Sequence, residues 1–190
     1  MTLSNLPKAA VKFTWLLILP LLLSLNPMST DLPSITLSQR QLCDLELLLN
    51  GGFAPLTGFM DQPTYDAVVH SMRLSNGRLW PMPIVLDIEE KTKNKLANFD
   101  QLILRDPEGT IMALLKVSQI WKPDKTVEAG KVYGTTNSEH PGVDYLFNQT
   151  GEYYVGGELV KLAQPKHYDF LPLRKTPEEL KALFKPVIVP

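Results

Sequence analysis

The sequence SQRQLCDLELLLNGGFAPLTGFM, residues 38–60, contains the clearest local structural signal in this chain. Ser38 and Gln41 have the spacing of a capping box, in which each side chain accepts a hydrogen bond from the backbone N–H of the other residue. Apolar residues then recur with helical spacing at Leu42, Leu45, Leu48 and Leu49. Asn50-Gly51-Gly52 is typical of a helix C-terminus. The sequence therefore predicts an amphipathic helix between Ser38 and Asn50.

The rest of the chain alternates further short helices with short strands. Helices are predicted at 62–72, 123–132, 141–147 and 177–183. Strands are predicted at 84–88, 102–105, 110–120 and 153–162, the last one bent at a Gly-Gly pair. Asp106-Pro107-Glu108-Gly109 has the composition of a type I turn, so the strands on either side of it should form a hairpin. This pattern predicts an α+β domain built on a small, irregular β-barrel with short flanking helices.

Length and composition restrict the class of protein. The chain has 190 residues, a net charge of −1 and one cysteine. At about 150 residues per domain, this length predicts one domain, or one domain with an appendage. One cysteine excludes a disulfide framework and a multi-cysteine zinc site. The balanced charge argues against non-specific nucleic-acid binding, which needs an excess of Lys and Arg on phosphates.

Residues 1–27 differ from the rest of the chain. They contain no acidic residue, and Phe13 to Leu25 form an uncharged apolar run interrupted by Pro20. This run is shorter than the ~20 residues that span a bilayer, and it fits the apolar region of a signal peptide. The cleavage site is poor, however, and Met28 follows directly. Three readings stay open for this segment: a misassigned start at Met1, a signal or anchor, and an integral part of the structure. Residues 28–190 form the expected domain.

The search for catalytic chemistry gives mostly negative results. His70, His140 and His167 lie far apart without metal-ligand spacing, so each is interpreted as a structural or surface histidine. Cys43 is expected to be a buried or half-buried, unreactive thiol on the first helix. The sequence lacks both a Walker A motif and a dinucleotide-binding glycine motif. We therefore predict no catalytic, cofactor-binding or metal-binding residue in this chain.

Two segments remain candidates for a domain interface or a cleft. The first is the glycine-rich connection after the first helix, with Asn50, Gly51, Gly52 and Phe53, for which a packed interhelical turn is the simpler interpretation. The second is the polar segment 133–143, which contains Thr135 and His140 beside two glycines. Hydroxyl, amide, carboxylate and imidazole groups gathered in one loop are typical of a surface that faces a cleft or another domain. A third short segment, Lys93 to Lys95, is interpreted as a solvated loop.

The order and spacing of several segments resemble the ATP sulfurylase (sulfate adenylyltransferase) family. The resemblance covers about residues 32–184. It rests on the segments 40–60, 79–84, 132–136, 140–143, 154–157 and 174–180. It implies an N-terminal, PUA-like domain of β-barrel character. In the family, a nucleotidyltransferase domain follows and carries a Q-T-R-N-P-type segment and an H-x-x-H-like pair for the phosphates.

The resemblance also implies a reaction, the transfer of AMP from ATP to sulfate to give adenylyl sulfate and pyrophosphate. No residue of this chain matches the family's catalytic Arg and His positions, so no catalytic role is carried over. ATP and sulfate are expected to bind in the absent catalytic domain, and this chain is expected to hold no cofactor. Whether the chain is itself an enzyme stays open for the same reason.

Three functional hypotheses follow. The first is a truncated or split ATP sulfurylase, inactive alone, whose partner is a separately encoded catalytic domain or a family oligomer. The second is a standalone PUA-like binding module without enzymatic activity. The third is a membrane-tethered accessory protein, which depends on residues 1–27. We expect a cytoplasmic protein that does not bind nucleic acid, or an exported or tethered one if residues 1–27 act as a signal or anchor.

Overall fold

The computed structural model describes residues 32–184, which contain six strands and six α-helices. The strands are β1 (Ser34–Thr36), β2 (Gly58–Phe59), β3 (Leu86–Ile88), β4 (Gln101–Arg105), β5 (Ile111–Trp121) and β6 (Tyr153–Lys161). The helices are α1 (Gln39–Leu49), α2 (Gln62–Ser71), α3 (Glu90–Leu96), α4 (Lys125–Glu128), α5 (Pro141–Asn148) and α6 (Pro177–Phe184). A π-helical turn follows α4 at Ala129–Tyr133, and a 3₁₀ turn spans Leu171–Leu173. The predictions for residues 1–27 lie outside the described residues.

The strands form one mixed sheet. Its path runs β1-β4-β5-β6, and both β2 and β3 pair with β6. β1 is parallel to β4, and the other pairings are antiparallel. The α+β class expected from the sequence is confirmed, but within residues 32–184 the sheet is not closed into a barrel. β1, β2 and β3 are two or three residues long, so they offer few backbone groups for a closing ladder.

Helix α1 begins as the sequence predicts. The backbone N–H of Ser38 donates to Oε1 of Gln41 at 2.9 Å, and the N–H of Gln41 donates to Oγ of Ser38 at 3.3 Å. Leu45 and Leu48 are buried on the face of α1 that contacts the sheet. Met72, at the C-terminal end of α2, is 41% exposed. It ends α2 in the left-handed conformation, with φ of 53°.

The predicted hairpin is present. The N–H of Gly109 donates to the carbonyl of Asp106 at 3.0 Å, which closes the turn between β4 and β5. β5 then pairs along most of its length with β6 and bulges between Val117 and Gln119. Opposite the bulge, a Cβ at Gly156 would collide with the carbonyl oxygen of Met60. Glycine is needed there because the start of α2 approaches the bent strand closely.

The buried side chains fall into two clusters. The larger one joins the sheet to α1 and α2, and its leucines with 0% exposure are Leu45, Leu86, Leu102, Leu104 and Leu115. The smaller one contains Ala129, Val143 and Leu146, with Tyr133 and Phe147 packed against it. The smaller cluster therefore fixes the π-helical turn against α5.

Three local predictions differ from the structure. Lys93 and Lys95 lie on α3 instead of in a loop, because Leu96 is buried and gives this short helix a contact with the core. Cys43 is exposed instead of buried or half-buried, since it lies off the leucine face of α1. The predicted helix at 123–132 is divided into α4 and the π-helical turn. Among the helices of residues 32–184, none combines the length and apolar composition needed to span a bilayer.

Candidate functional site

The least exposed charged side chain in the described part of the chain is Glu128, the last residue of α4. It is 4% exposed. Asp124 places it there, because its Oδ1 accepts from the N–H groups of Thr126 and Val127 at 3.0 Å and so starts α4. One turn later the carboxylate enters the interior of the domain. Burial of a carboxylate is unfavourable unless hydrogen bonds compensate it.

Two tyrosines from other elements supply those hydrogen bonds. The hydroxyl of Tyr65 on α2 donates to Oε2 of Glu128 at 2.9 Å, and that of Tyr154 on β6 donates to the same oxygen at 3.0 Å. The rings of Tyr65 and Tyr154 lie 5.7 Å apart, and Trp121 packs against both at 5.6 and 5.9 Å. These edge-on and tilted contacts fix the direction of both hydroxyls. We call Glu128, Tyr65 and Tyr154 the polar centre.

Burial sets the protonation behaviour of the polar centre. It raises the pKa of Glu128, while the two tyrosine hydrogen bonds and the positive charges of Lys125 and Arg40 act in the opposite direction. Burial and the nearby Glu128 carboxylate raise the pKa of Tyr65 and of Tyr154 above the ordinary value. Both phenols therefore remain hydrogen-bond donors at neutral pH.

A cavity of about 50 Å³ lies beside the polar centre. Its polar lining residues include Arg40, Gln41, Asp44, Asp87, Glu128, Tyr145 and Tyr154. Nε2 of Gln41 donates to Oδ1 of Asp87 at 2.8 Å, and the N–H of Gly151 donates to Oδ2 of Asp87 at 2.7 Å. Gln41 thus caps α1 through its Oε1 and fixes Asp87 through its Nε2.

Arg40 supplies the positive charge of the cavity lining. Its guanidinium lies 4.4 Å from the ring centroid of Tyr145, in a cation–π contact. One turn further along α1, burial raises the pKa of Asp44, and Arg40 opposes this rise while Asp87 reinforces it. The positive charge of Arg40 therefore favours the ionised forms of Asp44 and Glu128.

A wider cleft of about 750 Å³ lies next to the cavity. The two share Gln41, Asp87, Tyr145 and Thr150 in their linings. The cleft adds the exposed carboxylates of Glu89, Glu90 and Glu152. Cavity and cleft together are thus lined by six carboxylates and one guanidinium. This charge pattern repels anions and attracts cations.

The first predicted segment forms a packed turn between α1 and β2. Oδ1 of Asn50 accepts from the N–H of Gly52 at 2.9 Å. Gly51 has φ of 80°, the left-handed conformation that favours glycine. The ring of Phe53 packs edge-on against Trp80 with centroids 5.9 Å apart. The contacts of this segment are thus with its own turn and with the larger cluster, and a role at a domain interface stays a prediction.

The second predicted segment leads into α5. Oγ1 of Thr135 accepts from the N–H of Asn137 at 3.1 Å, and Nδ1 of His140 accepts from the N–H of Gly142 at 3.2 Å at the helix start. The His140 ring lies 5.2 Å from Tyr133, which itself lines the cavity. His140 thus contacts a residue of the cavity wall, and neither Thr135 nor His140 lines the cavity itself. Phe53 packs on the larger cluster and Tyr133 on the smaller one, so the two predicted segments belong to different parts of the core.

Sequence reasoning missed the polar centre. Its three residues are 63 and 26 positions apart along the chain, and they lie on three different elements. One weak signal was available, since Glu128 stands between Val127 and Ala129 in a segment predicted to be helical. A carboxylate among apolar neighbours can mark a buried position, but charged residues on short helices more often face solvent.

Comparison with known proteins finds a matching family and several similar enzymes. The PUA-like domain family matches residues 24–164. The sulfate adenylyltransferase of Candida albicans is 47% identical over 175 residues, which cover 87% of this chain and 33% of that protein. The sulfate adenylyltransferase of Saccharomyces cerevisiae is 45% identical over 157 residues, covering 83% of this chain and 30% of that protein. The chain thus spans about a third of the length of these relatives.

A solved structure shows a similar fold. It is described as a hexameric APS kinase from Thiobacillus denitrificans, and it superposes with a TM-score of 0.57 at 35% sequence identity. The superposition covers 81% of this chain and 26% of that one. Sequence and structure comparisons therefore agree that the chain corresponds to one part of longer proteins.

Proposed function

Since this chain belongs to the PUA-like domain family, we propose that it serves as the N-terminal domain of a sulfate adenylyltransferase. The observation that carries the proposal is the match to the Candida albicans enzyme, which covers 87% of this chain but 33% of that protein. In this proposal the chain supports a nucleotidyltransferase domain that binds ATP and sulfate. It acts in the cytoplasm, in sulfate assimilation, and is inactive alone.

The electrostatics of the cavity and cleft support inactivity of the chain alone. ATP, sulfate and pyrophosphate are anions, and adenylyl transfer needs cations or backbone dipoles directed at the phosphate charge that develops. The cavity and cleft beside Glu128 present six carboxylates and one guanidinium, and that guanidinium is stacked on Tyr145. This site is therefore poorly suited to anionic substrates, and we assign their binding to the partner domain.

An apolar surface near the C-terminal end supports the need for a partner domain. Between residues 168 and 184, the large exposed apolar side chains are Tyr168, Phe170, Leu171, Leu173, Leu180, Leu183 and Phe184. We call this the C-terminal segment. These side chains lie close together in the sequence, and large exposed apolar patches are typical of contact surfaces. Because the relatives are about three times as long, the occupant we propose for this surface is the catalytic domain.

The experiment combines the full chain with the part of the Candida albicans enzyme that the chain does not match. Pyrophosphate release from ATP is measured with and without sulfate, for each protein alone and for the mixture. We expect no sulfate-dependent release from the chain alone and a gain of activity in the mixture. Sulfate-dependent release by the chain alone would contradict the proposal.

Two variants at leucines of similar exposure test whether the C-terminal segment contacts the catalytic domain. Leu173 in the C-terminal segment is 77% exposed, and Leu79 outside it is 66% exposed. Leu173→Asp should weaken the gain of activity, because it places a charge in an apolar contact. Leu79→Asp should leave the gain unchanged. Equal effects of the two variants would count against the C-terminal segment as the contact surface. Salt-sensitive RNA binding by the chain would instead favour a standalone binding module.

A further inference from the structure

Residues 164–184 contact the rest of the domain at few points, and we call them the arm. The last backbone hydrogen bond to the sheet precedes them, where the N–H of Ala163 donates to the carbonyl of Met112 at 2.9 Å. Neither the 3₁₀ turn nor α6, the two helical elements of the arm, contains a buried residue. In the described part of the chain, no side chain after Ala163 belongs to either buried cluster. Apolar packing therefore contributes little to holding the arm in place.

One polar contact joins the arm to the domain. Nε2 of His167 lies 2.6 Å from Oε1 of Glu46 on α1. Since an ionised carboxylate has only acceptors, the imidazole N–H is the donor. The two side chains are 31% and 29% exposed, so the contact is partly shielded from water. Within residues 32–184, no other hydrogen bond or ion pair connects the arm to the residues before it.

The arm is organised by contacts within itself. Nη2 of Arg174 donates to Oδ1 of Asp169 at 2.7 Å. The N–H of Thr176 donates to Oε2 of Glu179 at 2.7 Å, and the N–H of Glu179 donates to Oγ1 of Thr176 at 3.3 Å, which makes a capping box at the start of α6. The arm can therefore change its position on the domain without losing these contacts.

The root of the arm spans a cavity. The cavity has a volume of about 440 Å³ and is lined by residues of α1, of the β4–β5 turn and of the segment 163–168. Glu46 and His167 both line it, and so do Glu108 of the turn and Lys166 of the arm. Because this space separates the root of the arm from the domain, few van der Waals contacts oppose a movement of the arm.

We propose that the arm is hinged at Gln164-Pro165 and that the contact between His167 and Glu46 is a latch, which holds the arm in one position on α1. Opening of the latch needs less free energy than unfolding of the domain, because few buried contacts are lost. The latch thus sets where the C-terminal segment lies relative to the domain. Its effect on a catalytic domain rests on the proposed function, whereas the latch itself does not.

Limited proteolysis of the full chain with trypsin tests the latch. The bond after the exposed Lys166 lies at the root of the arm, and its cleavage rate follows the population of the open arm. Glu46→Ala removes the acceptor and leaves the cleaved sequence unchanged, so cleavage should become about fivefold faster. The bond after Lys116, inside β5, reports unfolding of the sheet and should be cleaved at an unchanged rate. Mass spectrometry of the fragments distinguishes the two bonds.

A matched variant and a double-mutant cycle provide the controls. Glu108→Ala removes a carboxylate that lines the same cavity, but the hydrogen-bond partner of His167 is Glu46. This variant should leave cleavage after Lys166 unchanged. In a His167→Ala background, Glu46→Ala should have no further effect, because the first substitution has already removed the whole contact.

Several results would overturn the latch. Unchanged cleavage after Lys166 in Glu46→Ala would do so, as would equal acceleration in Glu108→Ala or an undiminished effect of Glu46→Ala in the His167→Ala background. Equal acceleration after Lys116 would show that the arm does not open separately from the sheet. If Glu46→Ala does not fold by circular dichroism, His167→Ala alone provides the same test from the other side of the contact.

The pyrophosphate assay of the mixture tests the effect on a catalytic domain. Glu46→Ala should reduce the gain of activity, because the C-terminal segment is no longer held in one position. A gain equal to that of the unmodified chain would rule out this effect of the latch. Absence of any gain with the unmodified chain would contradict the proposed function, and the cleavage rates would still decide the latch.

Discussion

The larger hydrophobic cluster and the polar centre are both buried, but they depend on different interactions. Leu45, Leu86, Leu102, Leu104 and Leu115 are each 0% exposed. Their contribution comes from apolar surface removed from water, which is roughly proportional to area and has no preferred direction. Glu128 in the polar centre is 4% exposed, and its burial is compensated by two hydrogen bonds with fixed geometry. Substitutions should therefore affect the two regions to different extents.

Truncation of a leucine in the larger cluster should have the largest effect. Leu115 lies on β5, and its register partner Leu102 on β4 is also fully buried. Leu115→Ala should lower the free energy of unfolding by about 2–5 kcal/mol, through lost burial and the cavity that remains. Urea unfolding followed by circular dichroism measures this loss. Leu79→Ala, at a side chain that is 66% exposed, is the control and should change stability little.

The larger cluster is also the region that the sequence predicts best. Leucines at helical spacing place the buried face of α1, and the capping box places its first residue. The hairpin follows from a four-residue turn signal. These signals are local, because each depends on residues within one or two turns of each other. The open sheet could not be predicted in this way, since the pairing of β1 with β4 joins Ser34 to Ile103 across the domain.

Removing one hydroxyl from the polar centre should have an intermediate effect. Tyr154→Phe keeps the ring and its contact with Trp121 but leaves Oε2 of Glu128 with one donor. The free energy of unfolding should fall by about 1–3 kcal/mol, the usual range for loss of a buried partner of a charged group. Tyr168→Phe, at a side chain that is 87% exposed, should have no measurable effect in the same urea experiment.

A double-mutant cycle separates the hydrogen bond from other effects of the substitution. In a Glu128→Gln background, Tyr154→Phe should be less destabilising than in the unmodified chain, because the acceptor no longer carries a charge. Equal losses in both backgrounds would show that the hydroxyl contributes nothing specific to Glu128. Both the larger cluster and the polar centre would then be stabilised mainly by apolar packing.

The polar centre could not be predicted from the sequence. In their local context Tyr65 and Glu128 look like ordinary helix residues and Tyr154 like an ordinary strand residue. They meet because α2, α4 and β6 pack together. The predicted segments with Gly51 and His140 have an unusual local composition. Their hydrogen bonds are accordingly local, within two residues at Asn50 and at His140. Local composition therefore predicts turns. It does not predict the cavity, because the cavity forms between elements that are far apart in the sequence.

The smallest effect should be a pH dependence contributed by Glu128. Burial raises its pKa above the ordinary value of 4.5, so the folded state holds this proton more tightly than the unfolded state. The associated stability is fully present below about pH 4.5 and is lost as pH rises through the raised pKa. In Glu128→Gln the side chain at position 128 does not ionise, so this loss of stability at higher pH does not occur. Its stability relative to the unmodified chain should therefore increase with pH, in urea unfolding measured from pH 4 to pH 8.

An exposed carboxylate should show the opposite sign. The hydrogen bond and positive charge of Lys122 lower the pKa of Glu152, so its contribution is present above the ordinary pKa and is lost as pH falls. Glu152→Gln should therefore lose stability relative to the unmodified chain as pH rises from acid to neutral. The same slope for both variants would mean that burial does not control Glu128. Opposite slopes would identify desolvation as the dominant cause at Glu128 and pairing as the dominant cause at Glu152.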